Sequence, residues 1–208
     1  MIIYGGSLSP YVRKAVVFAV EKGVDFELKP MQDPEFMAIS PFGKMPAFRD
    51  GDFAISDSTA IITYLDAIKP EPNLIPTEPK ARARTIWYEE YADTIIGACS
   101  GTIFVNRVIS PKFFGRPGDL AAADEAQRTE FPRLMDYLES VAPSSGYLID
   151  DRFTLADIAV ASPLATMMHG DCAMDPKTHP KAHAYVSRIW ERPSFAKLLA
   201  QEKAMMAA

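Results

Sequence analysis

Ser9 stands one residue before Pro10 at the entrance to an apolar-periodic run, behind the glycine pair Gly5-Gly6, in the stretch YGGSLSPYVRK. A hydroxyl there has two uses. It can cap the helix by accepting from a first-turn amide, or it can donate to a bound anion that the helix N-terminus also favours. Ser7, two residues earlier, is a second hydroxyl on the same loop. Another group falls in ISDSTAII, where Asp57 lies beside Ser58 at a helix start. Such clusters cap helices, yet first-turn amides also bind carboxylates. Asp57 and Ser58 together supply what an amino-acid zwitterion needs, a hydroxyl and amide for its carboxylate and a carboxylate for its ammonium. A third group is Lys44-Met45-Pro46 in GKMPAF. A proline entering a strand donates nothing to the ladder and belongs at a strand start or edge. The sharper reading is a cis Met45–Pro46 bond, which turns the Met45 backbone outward at the rim of a sheet.

Other chemistry-bearing residues read as structure. In RFTLADIAVA, Thr154 and Asp157 form a capping box, with Phe153 and Ile158 as its hydrophobic staple. His169, His179 and His183 have no serine or cysteine nucleophile to serve. His179 and His183 are four apart but lack a third ligand, so no metal is expected.

The candidate groups need elements to hold them. The first seventy residues alternate strand and helix. Residues 1–4 are a short apolar run. Apolar positions 12, 15, 16, 19 and 20 mark one helical face, closed by Gly23. Val24, Phe26 and Leu28 alternate with Asp25 and Glu27 as a half-buried strand. MQDPEFMAIS reads as irregular or a short helix, and Asp50-Gly51 as a hairpin turn between 47–49 and 53–55. A helix capped within Ser56–Ser58 runs to Ile68. KPEPNLIPTEP, with four prolines, suits neither helix nor strand and reads as a linker. Beyond it strand signals nearly vanish. Helices are expected over 80–108, interrupted by ISPKFFGRPG, then over 119–141 with a kink at Pro132, and over 155–168, 180–190 and 195–205. The expected organisation is an α/β domain over 1–69, a linker over 70–79 and an all-helical domain over 80–208.

Composition bounds the partners. Of 208 residues, 48% are apolar and 24% charged, the balance of a globular protein. A net charge of −5 with no basic run argues against nucleic acid as a partner. No leader-like stretch and no membrane-length apolar run are visible. Cys99 and Cys172 show no metal or redox spacing. A cytoplasmic protein without a membrane partner is expected.

SPYVRK after the first strand, then SPFGKMPAF, DGDFAISDSTAIITYL, the proline-rich stretch and FTLADI occur in this order along essentially the whole chain. In this order and spacing they resemble the cytosolic glutathione S-transferase family, in a serine-type, bacterial-like form. The resemblance implies a thioredoxin-like α/β N-terminal domain plus an all-α C-terminal helical bundle, glutathione as co-substrate, no metal, and a homodimer. It implies that Ser9 activates the glutathione thiol for attack on an apolar electrophile. It implies that the Met45 backbone, before cis Pro46, pairs with the cysteinyl part, that Lys44 meets the glycine carboxylate, and that Asp57 and Ser58 hold the γ-glutamyl end. The electrophile wall is expected from the helix bearing Tyr88, Tyr91, Ile95 and Cys99 and from the last helices, with residues 109–118 shaping or covering the pocket. The departures are informative. Position 9 is not a cysteine, which disfavours disulfide reduction, and Tyr4 lies inside a strand, unlike the tyrosine-type branches. A Ser-Ser-Cys run is absent, against a maleylacetoacetate-type isomerase. Gln32 falls where some relatives place a lysine or histidine. A glutathione-dependent isomerase, lyase or peroxidase, and a non-catalytic binding or regulatory module, are the alternatives. Intact Ser9, Asp57 and Ser58 speak against the module.

Overall fold

The computed structural model describes residues 1–207. Four short strands form one mixed sheet in the order β2 (Glu27–Lys29), β1 (Ile2–Tyr4), β3 (Ala47–Asp50), β4 (Phe53–Ser56). β1 and β2 run parallel, as the crossover through α1 (Pro10–Glu21) requires, and the other pairs are antiparallel. With α2 (Pro34–Ile39) and α3 (Ser58–Ile68) this is a thioredoxin-like arrangement. The register matters for everything below. Tyr4 pairs with Ala47, and Ala47 with Ser56. Three strands therefore reach the same edge of the sheet, and the residues just past it are Gly5, Pro46 and Asp57.

The remainder is helical. α4 (Pro79–Glu90), a π-helical stretch Tyr91–Ile96, α5 (Gly97–Phe104) and a second π-helical stretch Val105–Phe113 follow one another without a break. Then come α6 (Leu120–Val141), α7 (Leu155–His169), α8 (Pro180–Trp190) and α9 (Pro193–Ala207). α7 is apolar on all sides and buried from Leu155 to Met167, as a helix surrounded by others must be. It packs against α1, α4, α5, α8 and α9. One core accordingly runs from Ile3, Val12 and Phe48 through Ile61 to Ile96, Ile158 and Val186. No described helix is long and apolar enough to cross a membrane.

Several elements differ from expectation. β2 is only three residues long, with Leu28 exposed, while Val24 and Phe26 pack on the core ahead of it. ISPKFFGRPG does not interrupt the helix at residue 109. The π-helical turns carry on through Pro111 to Phe113, and Phe114 N closes on Ile109 O at 3.2 Å. The ladder is already irregular there, which lets it accommodate a residue without an N–H. The proline-rich stretch is a packed strap: Leu74 and Ile75 are buried, and Lys22 Nζ donates to Pro70 O and Pro72 O, each at 2.8 Å.

Candidate active site

Gly5 is the pivot of the site. Its φ is +142°, and a Cβ there would lie 2.6 Å from Val12 Cγ2 and 3.2 Å from Met45 Cβ. Only glycine lets the β1–α1 loop pass between helix α1 and the loop entering β3. From that pivot the chain reaches Ser9, the N-cap residue of α1, which is extended at φ −70° and ψ 128°. Its N–H donates to Gly6 O at 3.0 Å and its carbonyl accepts from Arg13 N at 2.9 Å. Its hydroxyl makes no capping bond, and Pro10 follows at the first helical position. The loop is held from behind. Thr166 Oγ1 on α7 donates to Leu8 O at 3.3 Å, and Leu8 packs on Phe104 and Val108. Ser7 is buried, whereas Ser9 is half-buried.

Across the sheet edge, Met45–Pro46 is cis, and Pro46 O accepts from Asp57 N at 3.2 Å. The second and third groups are thus tied directly. Lys44 is exposed, and its carbonyl accepts from Ser40 Oγ at 2.6 Å. The helix cap narrows to one residue. Asp57 alone caps α3, its Oδ1 accepting from Thr59 N at 2.9 Å and Ala60 N at 3.0 Å. Its φ of +91° is rare for a residue bearing a side chain. Because both caps fall on Oδ1, Oδ2 and the Ser58 amide remain for a ligand. Ser58 itself is 4% exposed. The sheet edge therefore gathers a free hydroxyl at one helix N-terminus, a free carboxylate oxygen at another, and a backbone turn between them.

Two charge clusters that sequence reasoning missed support these groups. Lys14 Nζ donates to Glu89 Oε1 at 2.9 Å and to Asp93, and Thr59 Oγ1 donates to the same Glu89 oxygen at 2.9 Å. Burial raises the pKa of Asp93, with Lys14 opposing. Tyr11 OH donates to Asp93 O at 2.9 Å, and a Cβ on Gly97 would stand 2.7 Å from that hydroxyl oxygen. In the second cluster Arg13, fully buried, meets Glu202 of α9 in a bidentate pair at 3.0 and 2.7 Å. Its remaining donor Nη1 reaches Ser162 O at 2.6 Å and Thr166 Oγ1 at 2.9 Å, and His169 Nε2 lies 2.9 Å from Glu202 Oε2. Burial disfavours the Glu202 carboxylate, but His169 and Arg13 outweigh it and hold its pKa below the usual value. In the sequence Arg13 and Lys14 stand as adjacent cations on α1, with partners far along the chain.

The expected electrophile wall needs correction. Tyr91 is buried, stacked on Trp87 at 5.5 Å and edge-on to Tyr137. Cys99 is fully buried, its thiol pushed up to about 12 by burial. Tyr88 packs beside Ala81, Ile149 and Ala156, and only Ile95 of the four is exposed. A strict 3.6-residue period aligns these four, and the π-helical turns between them rephase it. Leu8, just before Ser9, packs in the interior on the buried Phe104 and Val108, and the half-buried Ile109 and Met206 lie against them. Among the described residues no group of three or more His, Cys, Asp or Glu could hold a metal.

Residues 3–73 match the family model for the glutathione S-transferase N-terminal domain, and residues 103–193 that for the C-terminal domain. The chain is 33% identical to glutathione S-transferase 4 of Zea mays, over 91% of this chain and 85% of that protein. It is 30% identical to glutathione S-transferase 3 of Zea mays, over 95% and 92%. Among solved structures, glutathione S-transferase-I bound with lactoylglutathione superposes with a TM-score of 0.83 at 26% identity, covering 96% of this chain and 98% of that one.

Proposed function

The chain belongs to the glutathione S-transferase family, and on that premise we propose that it activates the thiol of glutathione for attack on an apolar electrophilic small molecule. Ser9 donates to the sulfur. The Met45 backbone, at the Pro46 turn, pairs with the cysteinyl part, and Lys44 meets the glycine carboxylate. Asp57 and Ser58 hold the γ-glutamyl end, with Asp57 Oδ2 toward the ammonium. One observation carries the assignment: the Ser9 hydroxyl occupies a helix N-cap without capping the helix. A free glutathione thiol titrates near a cysteine's pKa of about 8.5. A hydrogen bond to charged sulfur contributes about 1.5–3 kcal/mol, and the N-terminus of α1 about 0.3–1 kcal/mol. At about 1.4 kcal/mol per unit these lower the pKa by roughly one to three units, and a shift of two or more makes thiolate predominate at neutral pH.

Residues 1–69 form the glutathione-binding unit, 70–79 the linker and 80–208 the helical unit that meets the electrophile. The protein works as a homodimer in the cytoplasm. Phe42, Ile95 and Trp87 support the dimer, at 87%, 54% and 50% exposure, because large apolar side chains open to water are surface for a partner to cover. Both cysteines are free thiols, as a reducing compartment keeps them.

The test is the thiolate absorbance of bound glutathione against pH. Ser9→Ala should keep affinity for the protonated thiol, measured at low pH, and return the bound thiol toward its free pKa, with a rate at neutral pH lower by about ten- to a hundredfold. A shift in Ser7→Ala and none in Ser9→Ala would move the role to Ser7. No shift in either variant would remove it from this loop.

A further inference from the structure

A hydroxyl aims at a ligand only as well as its own main chain is held. The peptide joining Leu8 to Ser9 is tied at both of its polar atoms. Ser9 N donates to Gly6 O at 3.0 Å, and Leu8 O accepts from Thr166 Oγ1 of α7 at 3.3 Å. On the other side of Ser9, its carbonyl accepts from Arg13 N at 2.9 Å. Among the described residues no main-chain N–H reaches Leu8 O, and Leu8 is buried. Thr166 therefore satisfies a carbonyl that nothing else serves.

The direction of the Thr166 proton follows from its neighbours. Arg13 Nη1 lies 2.9 Å from Thr166 Oγ1 and 2.6 Å from Ser162 O. A guanidinium only donates, so Oγ1 accepts from Nη1 and keeps one proton to give. Two carbonyls are within reach, Leu8 O at 3.3 Å and Ser162 O at 3.5 Å. Ser162 O is already served by Arg13, which leaves Leu8 O. Arg13 cannot turn away, because Glu202 of α9 takes its Nε and Nη2 at 3.0 and 2.7 Å. Glu202, Arg13 and Thr166 are all buried, and a satisfied polar network of that kind is rigid. It links the last helix to the peptide that carries Ser9.

We infer that Thr166 is a positioning residue for thiol activation: its hydroxyl sets the Leu8–Ser9 peptide plane and so aims the Ser9 hydroxyl at the sulfur. The inference rests on the role of Ser9 proposed above. Hydrogen bonds weaken steeply as their angle closes, so a small rotation of that plane loosens the hold of Ser9 on the thiolate.

The thiolate absorbance of bound glutathione against pH tests it. Thr166→Val keeps the side chain's shape and loses the hydroxyl. It should raise the bound thiol's pKa by about one unit, so that the rate below the parent's pKa falls about tenfold and converges on the parent's at high pH. Affinity for the protonated thiol, measured at low pH, should stay within about twofold, because that state gains little from the Ser9 bond. Thr166→Ser restores the hydroxyl and should titrate like the parent. Thr166→Val added to Ser9→Ala should shift the pKa no further, since one residue acts through the other. Tyr185→Phe removes a buried hydroxyl at the opposite end of α7 and should lower Tm without moving the pKa. Should Thr166→Val fail to fold, Thr166→Ala makes the same test.

A low pKa shared by the parent and Thr166→Val would overturn the inference and leave Ser9 its role. So would additive shifts in the double variant, or a shift in Thr166→Ser or Tyr185→Phe as large as in Thr166→Val. A parent whose bound thiol titrates at its free value would instead remove the role of Ser9, and that of Thr166 with it.

Discussion

Asp57 separates two roles that one carboxylate performs. Oδ1 caps α3, and Oδ2 is free at the sheet edge. Asn tolerates positive φ and retains one capping oxygen. Asp57→Asn should therefore keep stability within about 0.5 kcal/mol and raise the dissociation constant for glutathione about tenfold, as expected on losing a charge-assisted bond. Calorimetry and a melting curve on the same sample check it, and unchanged affinity would reduce Asp57 to a cap. The Arg13–Glu202 pair behaves oppositely. Both partners are fully buried, so Glu202→Gln leaves a cation uncompensated and should cost about 3–5 kcal/mol. Replacing both partners, as Arg13→Met with Glu202→Leu, should recover most of that loss in a denaturant titration. A melt of Glu202→Gln indistinguishable from the parent would refute the first expectation. At this scale the sequence was legible where a residue's role is local. Ser9, Pro46 and Asp57 announce helix and strand boundaries by type and spacing. Arg13 and Lys14 looked like ordinary helix cations because their partners, Glu202, Glu89 and Asp93, lie far along the chain.

α7 starts on a device legible in the sequence. Thr154 and Asp157 close the capping box, Asp157 accepting from Thr154 N and Leu148 N, both at 2.9 Å. It also accepts from Tyr185 OH of α8 at 3.0 Å, so one carboxylate joins two helices and a loop. Burial pushes Asp157 up to about 6, against the pull of those hydrogen bonds. Its folded pKa then exceeds the unfolded value of about 3.9. The folded state holds the proton more tightly, so the stabilisation is full below about pH 4 and is lost as pH rises through 6. The group should make unfolding free energy fall by about 2 kcal/mol between pH 4 and 7, and Asp157→Asn should flatten that part of the profile. Parallel profiles for the two proteins would show that Asp157 does not titrate in this window. The π-helical turns were illegible for the complementary reason. Apolar periodicity presumes 3.6 residues per turn, and a stretch such as Tyr91–Ile96 carries no residue type that announces a wider one.

The molecule shares one core between its sheet and its helices, and α1 packs on both α3 and α7. Unfolding should therefore be a single transition, with far-ultraviolet dichroism coinciding with the fluorescence of Trp87 and Trp190, both in the helical part. A sheet signal that persists past the tryptophan transition would mean two cooperative units. The division at the prolines was plain from composition, but Leu155 N bonds Leu74 O at 2.9 Å, a contact that proline content cannot forecast. The tie between Arg13 and Glu202 also has a consequence in time. The two residues are 189 positions apart. A ribosome adding about 5–20 residues per second delivers Glu202 roughly 10–40 s after Arg13. For that interval the nascent α/β half presents Arg13 to water, because Ser162, Thr166 and Glu202, which cover it, have not all been made, so the loop bearing Ser9 gains its final support only as α9 emerges. Chains arrested before α9 should be recognised by chaperones and proteases as unfinished, although every strand of the sheet has already been made.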